Sequence, residues 1–192
     1  MTTNSPDFDL HQALFANLDL QAFIDGLDWQ EHQLTMYGKT HPVPRLLCMY
    51  GSAYNYSGVK HPAVTIPALL TPLRDHIQTM TGKPFNSVLG NLYRDGSDSV
   101  SWHSDDDYAS GTQPSVVSLS LGATRRFRVR PKVNPNPGQP RPSQHFDLGH
   151  GDLLIMGDDA QTRFQHCVPK TSRKDIGPRV NLTFRYIEAP DP

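Results

Sequence analysis

The sequence predicts a mainly β protein with flanking helices: a β-sandwich, barrel or jelly roll in one domain. Three observations carry that expectation. Past Gly82 the chain breaks into short runs of strand-like composition separated by turn-rich pieces. Ahead of them stands one well-patterned helix. The last run, RVNLTFRY, alternates apolar and polar residues, the period of a strand.

The bulk numbers agree. At 192 residues with 36% hydrophobic content the chain is long enough for a real core, burying roughly 70% of its foldable surface. Its 17 prolines and 14 glycines make it rich in loops. No apolar run approaches the ~20 residues of a membrane span, so no membrane partner is expected. The opening MTTNSPDFDL lacks a basic stretch followed by an apolar one, so no secretory signal is expected. Cys48 and Cys167 make no disulfide framework. A reducing cytoplasm is expected, nucleoid-associated, or the nucleus if the source is eukaryotic. The formal net charge of −1 leaves any polyanion to local basic patches.

The elements follow in order. Residues 1–33 carry Leu14, Leu18, Phe23, Ile24 and Leu27, which predicts an N-terminal extension of one or two short helices. A short β stretch is expected at Arg45–Tyr50. Ile66, Leu69, Leu70, Leu73, Ile77 and Met80 recur at helical spacing up to Gly82, a C-terminal cap. Pro67 suits the first turn, while Pro72 either kinks the helix or marks its true start. Strands are then predicted at Asn86–Tyr93, Ser115–Leu121, Arg126–Arg130, Gln144–Leu148, Asp152–Met156, Arg163–Val168 and Arg179–Tyr186. The longest break is PKVNPNPGQPRPSQ.

Strand faces point to a site. In the last run Val180, Leu182, Phe184 and Tyr186 share one face, and Arg179, Asn181, Thr183 and Arg185 the other. That polar face is either the wet side of an edge strand or the wall of a cavity for a carboxylate, which an arginine fork grips at two oxygens. Asn91 and Tyr93 likewise share a face with Leu89. In SVSWHSDDD, His103 and Asp105 are two apart, and an extended chain points both the same way. With a distant second histidine they have the spacing of a facial triad of two histidines and one carboxylate, open on one side as oxygen chemistry requires. His166, in a late β-like run, is the third candidate, with His145 and His150 as rivals near the loop.

Taken together, NLYRDGSDSVSWHSDDD, SLSLGATRRFRVR, His166 and PRVNLTFR resemble the AlkB family of iron- and 2-oxoglutarate-dependent dioxygenases. The likeness is to its eukaryotic-type nucleic-acid repair branch and covers about Leu34 to Ile187. It implies a double-stranded β-helix (jelly roll) core over residues 61–192, preceded by a nucleotide-recognition lid over 34–60. Carried over, His103, Asp105 and His166 ligate Fe(II). Arg179 takes one carboxylate of 2-oxoglutarate and Arg185 the other, near the metal-chelating end or through the residues that surround the metal ligands. Asn91, Tyr93 and Asn181 match further cosubstrate contacts. With O2, such a site oxidises an N-methyl group of the 1-methyladenine or 3-methylcytosine type, releasing succinate, CO2 and formaldehyde. The implied substrate is alkylated DNA, with RNA left open, and the chain is taken as a monomer.

The resemblance also implies substrate contacts. Asp106 and Asp107 match acidic positions at the base pocket, where a carboxylate attracts a cationic methylated base. Tyr37, in the expected hairpin MYGKTHPVPR, takes the place of a finger that fills the gap left by a flipped base. Arg45 closes that hairpin, and Tyr54 and Tyr56 fall at the pocket. Arg126, Arg128 and Arg130 alternate with Phe127 and Val129, and Lys170, Arg173 and Lys174 form a second basic cluster. Each is a solvated face or a phosphate contact. Three rival readings remain at this stage. They are an oxygenase of the same chemistry acting on protein or lipid, a zinc hydrolase, and a binding module without catalysis.

Overall fold

Short runs that alternate apolar and polar side chains cannot bury one face alone, and in the computed structural model they pair into two antiparallel sheets. The structure describes residues 7–36, 39–56, 59–105 and 115–187. In chain order the elements begin with β1 (Phe8–His11), α1 (Leu20–Gly26), β2 (Gln30–Met36), β3 (Lys39–Gly51), β4 (Tyr54–Tyr56), β5 (Val59–His61) and α2 (Thr71–Thr81). They continue with β6 (Ser87–Tyr93), β7 (Val100–His103), β8 (Val116–Gly122), β9 (Arg125–Pro131), β10 (Gln144–Leu148), β11 (Asp152–Met156), α3 (Ala160–Arg163), β12 (Phe164–Val168) and β13 (Arg179–Arg185). The larger sheet has the order β1-β11-β8-β13-β6-β3-β2, and the smaller β10-β9-β12-β7. Strands far apart in sequence alternate in each sheet, as a jelly roll requires, and β4 with β5 forms a separate hairpin.

The core lies in two layers. Val180, Leu182 and Phe184 of β13 join Leu119 and Leu121 of β8 against Phe23 of α1 and Leu73 and Ile77 of α2. Between the sheets, Val116, Leu154 and Met156 of the larger one meet Phe127, Val129, Phe146, Leu148 and Val168 of the smaller. Each such side chain contributes about 1.5–3 kcal/mol by burial. The helix layer therefore clamps the apolar face of β13 and turns its polar face inward, between the sheets. β13 lies in mid-sheet between β8 and β6, and it is buried along its whole length. That settles the edge-strand alternative against a wet face.

Some expected boundaries shift. Of the two readings of Pro72, the structure has the one in which it marks the helix start: the helix begins at Thr71 and not at Ile66, with Pro72 in its first turn, where a missing N–H costs nothing. It ends at Gly82 in the left-handed region, φ 68°. The expected N-terminal extension shows one helix among its described residues, α1, within the one or two expected, and its Phe8–His11 pairs with β11 as a strand, burying Phe8 in the inter-sheet core. The expected boundary between residues 33 and 34 falls inside β2. β3, placed in the lid, pairs with β6 and so belongs to the larger sheet.

Candidate metal and carboxylate site

β7 pairs with β12, and His103 lies directly opposite His166. Opposed residues in an antiparallel pair have Cβ atoms about 4.5–5.5 Å apart, and here the ring centroids are 4.3 Å apart. The next rung joins Val168 to Val100, so β7 has one more residue than β12 between the same two rungs. This bulge re-aims side chains. Val100 and His103, which a regular strand would point apart, both line the cleft with His166. Trp102 takes the other surface, with its ring centroid 4.2 Å from the Arg130 guanidinium carbon and 5.4 Å from that of Arg128. His103 Nδ1 lies 2.8 Å from the Ser101 carbonyl. A carbonyl only accepts, so Nδ1 is the donor there and Nε2 is the nitrogen left to face Asp105. Phe127 stacks on the His166 ring at 5.1 Å.

Past the end of β7, Asp105 enters the same cleft. Its Oδ1 is 3.7 Å from His103 Nε2, and its Oδ2 is 3.7 Å from His166 Nε2. One ligand atom from each of the three residues lies within 4.8 Å of the others, a group that could hold a metal ion. Two neutral imidazoles and a carboxylate suit Fe(II) with positions left open. Arg185 donates to Asp105 Oδ1 at 3.1 Å. Burial alone would raise the Asp105 pKa, but Arg185 and the two imidazoles outweigh it and hold the group at about 2. Burial, aided by His103, pulls His166 down to about 3. Both groups are thus in their ligating protonation states at neutral pH.

From the triad the cleft wall runs past Thr183, Asn181, Ser118 and Tyr93, and beside Tyr93 lies Arg179, which is 1% exposed. Arg179 Nη2 donates to Ser120 Oγ at 2.8 Å, and its guanidinium carbon is 5.2 Å from the Tyr93 ring centroid. Its Nε and Nη1 have no hydrogen-bond acceptor. Among the described residues no carboxylate pairs with it. Burial, with Arg125 nearby, shifts its pKa downward. Unmade bonds at a buried donor cost about 1–3 kcal/mol, and more at a charged one, so an acceptor, best an anion, would be favoured at this position.

The other predicted cosubstrate residues stand in the same wall with defined orientations. Asn91 Oδ1 accepts from Arg45 Nε at 2.6 Å, so Asn91 offers its Nδ2 to anything beyond. Arg45 also donates to the Ser99 carbonyl at 3.3 Å, and it lines the metal cleft itself. Asn181 Nδ2 donates to Ser118 Oγ at 2.7 Å and to the Leu119 carbonyl at 3.1 Å. Ser118 therefore keeps its own hydroxyl proton for the cleft. Sequence reading missed Ser118 and Ser120, although the alternation VVSLSLG carries the signal. It also missed Gln161, which has no comparable signal. The rival histidines lie elsewhere: His145 sits 4.0 Å from Asp147, and His150 accepts from the Gly122 N–H at 3.0 Å.

Of the expected substrate contacts, Tyr37, Asp106 and Asp107 lie outside the described residues. Tyr54 and Tyr56 are in β4, with side chains outside the described part. The two basic clusters do meet. Arg126, Arg128, Lys170 and Arg173 line one groove with His145 and Asp147, behind the strand whose Phe127 stacks on His166. Several of its charges are already engaged. Arg126 makes two bonds to Asp147, at 2.9 and 3.2 Å, and Arg173 two to Asp175, at 3.2 and 2.8 Å.

Comparisons with known proteins agree with this geometry. The chain is 40% identical over 187 residues to alpha-ketoglutarate-dependent dioxygenase alkB homolog 3 of Mus musculus, covering 90% of this chain and 62% of that protein. It is 38% identical over 161 residues to DNA oxidative demethylase ALKBH2 of Homo sapiens, covering 81% of this chain and 61% of that one. The chain thus spans about three-fifths of these curated relatives. The solved structure of OsALKBH1 superposes with a TM-score of 0.66 at 19% identity, over 95% of this chain and 99% of that one, and shows the same fold. Residues 10–185 match the family described as the 2OG-Fe(II) oxygenase superfamily, and to that superfamily, with AlkB homologues as its relatives, this chain belongs.

Proposed function

We propose that the chain is an Fe(II)- and 2-oxoglutarate-dependent dioxygenase that removes N-alkyl groups of the 1-methyladenine or 3-methylcytosine type from DNA. One observation carries the chemistry: three metal-ligand atoms lie within 4.8 Å of one another in a cleft lined by Tyr93, and against the Tyr93 ring lies a buried guanidinium, Arg179, with no carboxylate partner among the described residues. In this reading His103, Asp105 and His166 hold the iron. Arg179, with Ser120 and Tyr93, takes the far carboxylate of 2-oxoglutarate. Arg185 holds Asp105 in its ligating form, and Asn91 and Ser118 supply donors along the chain of the cosubstrate. When bound, iron and 2-oxoglutarate supply oxidative decarboxylation coupled to hydroxylation of a C–H bond, and the hydroxymethylated base then loses formaldehyde.

The substrate class draws its support from the relatives, one of which is described as a DNA oxidative demethylase, and from the basic groove behind the site. Tyr37, Arg45, Tyr54, Tyr56, Asp106 and Asp107 are the proposed contacts to the base. Cys48 and Cys167 are both free and buried, which supports a reducing compartment, and we place the protein in the cytoplasm as a monomer. The test supplies Fe(II), ascorbate, O2 and 2-oxoglutarate with a methylated oligonucleotide. The expected result is succinate and formaldehyde in equal amounts, with recovery of the unmodified base. Succinate released while the methylated base persists would move the substrate to another class, protein or lipid.

A further inference from the structure

We infer that Gln161 is a positioning residue for the metal site, fixing the ligand Asp105 through that residue's backbone. The inference rests on reading His103, Asp105 and His166 as metal ligands. The starting point is an asymmetry among the three. His103 and His166 stand opposite each other in the β7–β12 ladder, so sheet hydrogen bonds set their spacing. β7 ends at His103, and Asp105 lies beyond it, where no ladder partner holds its backbone. Ligand geometry must be kept to a few tenths of an ångström, so something else must do this.

Gln161 meets that need. It is 1% exposed and sits in α3, the single turn that runs straight into β12 and His166. Its Oε1 accepts the Asp105 N–H at 2.8 Å. Its Nε2 lies 3.5 Å from Met156 Sδ. A thioether can only accept, so the amide nitrogen faces Met156 and the oxygen faces Asp105. The neighbouring residue is tied to the same place, with Ser104 Oγ donating to the Phe164 carbonyl at 2.9 Å. Consecutive residues of the ligand loop are thus bound to the junction that leads to His166. The turn is itself anchored: Asp158, just ahead of it, accepts from Ser115 Oγ at 2.6 Å and pairs with Lys83. In this arrangement α3 sets where Asp105 stands relative to His166, a distance the sheet leaves open.

The test is a calorimetric titration of Mn(II) into metal-free protein, with a thermal melt of the same metal-free samples. Gln161→Met keeps the volume and removes the acceptor. Gln161→Glu keeps an acceptor oxygen at the same reach. Losing the support of a metal ligand typically weakens metal binding about tenfold to a hundredfold. That loss is expected for Gln161→Met, with Gln161→Glu binding within about threefold of wild type or tighter. If Gln161→Met fails to melt cooperatively, Gln161→Asn, which withdraws the amide by one methylene, is read in its place. A Mn(II) affinity unchanged in the Met or Asn variant overturns the inference, and so does a folded Glu variant that binds as weakly as Met. If wild type itself binds no Mn(II), the reading of the three ligands falls first.

Discussion

At the Arg185 end of β13 a carboxylate is already in place; at the Arg179 end there is none among the described residues. The two arginines are close in burial, 2% and 1% exposed, and share one face of one strand. Six residues at about 3.3 Å each separate their Cα atoms by roughly 20 Å. Arg185 spends its charge on Asp105 at 3.1 Å, whereas Arg179 has Ser120, Tyr93 and two nitrogens, Nε and Nη1, without acceptors. Taking a charge out of water costs several kcal/mol per ion, and only a good partner offsets it. Among the described residues the protein supplies that partner at one end and not at the other, where the proposed function assigns it to the cosubstrate. Residues that look like a matched pair in sequence therefore stand in different surroundings, one paired with the carboxylate of the candidate metal site and the other, in the proposed function, receiving a carboxylate of the cosubstrate.

The largest expected effect lies at the completed end. Arg185→Met leaves Asp105 buried with only the imidazoles beside it, and breaking such a pair costs about 3–5 kcal/mol. Chemical denaturation of the metal-free protein should show that loss, together with weakened metal binding. A stability equal to wild type would mean that the ion pair does not organise the site.

A smaller contrast of the same kind exists on the outer groove. Arg126 and Arg173 are neutralised by Asp147 and Asp175, while Lys170 has no carboxylate partner among the described residues. Lys170→Ala should lower the salt dependence of oligonucleotide binding by a slope of about 1, and Arg173→Ala by less. Equal slopes in all three proteins would remove the groove from the substrate path.

How much of this was readable in the sequence depends on what sets each feature. The polar face of β13 and the inward face of β6 follow from alternation, which a long central strand obeys strictly, and Arg179, Asn181, Asn91 and Tyr93 were found that way. His103 is different. Alternation along β7 from Val100 would send it to the outer surface, and only the bulge, a property of pairing with β12, brings it in. Spacing to Asp105, and not strand phase, picked it out. The edge strand Phe8–His11 is too short for its period to show against the helix-like leucines that follow. Gln161 was invisible because its partner is a backbone N–H far along the chain, and such a partner leaves no trace in residue type. The division of labour between Arg179 and Arg185 was equally hidden, since it depends on where Asp105 lands.

Arg179→Met tests that division most directly. The measurement is the affinity of Mn(II)-loaded protein for 2-oxoglutarate, read beside the stability of the same variant without ligands. The account expects a dissociation constant raised at least about a hundredfold, since each tenfold is 1.4 kcal/mol. It also expects a ligand-free stability equal to wild type or higher by on the order of 1 kcal/mol, because a buried, uncompensated charge has gone. An affinity within about threefold of wild type, or a stability loss like that of Arg185→Met, about 3–5 kcal/mol, would contradict it.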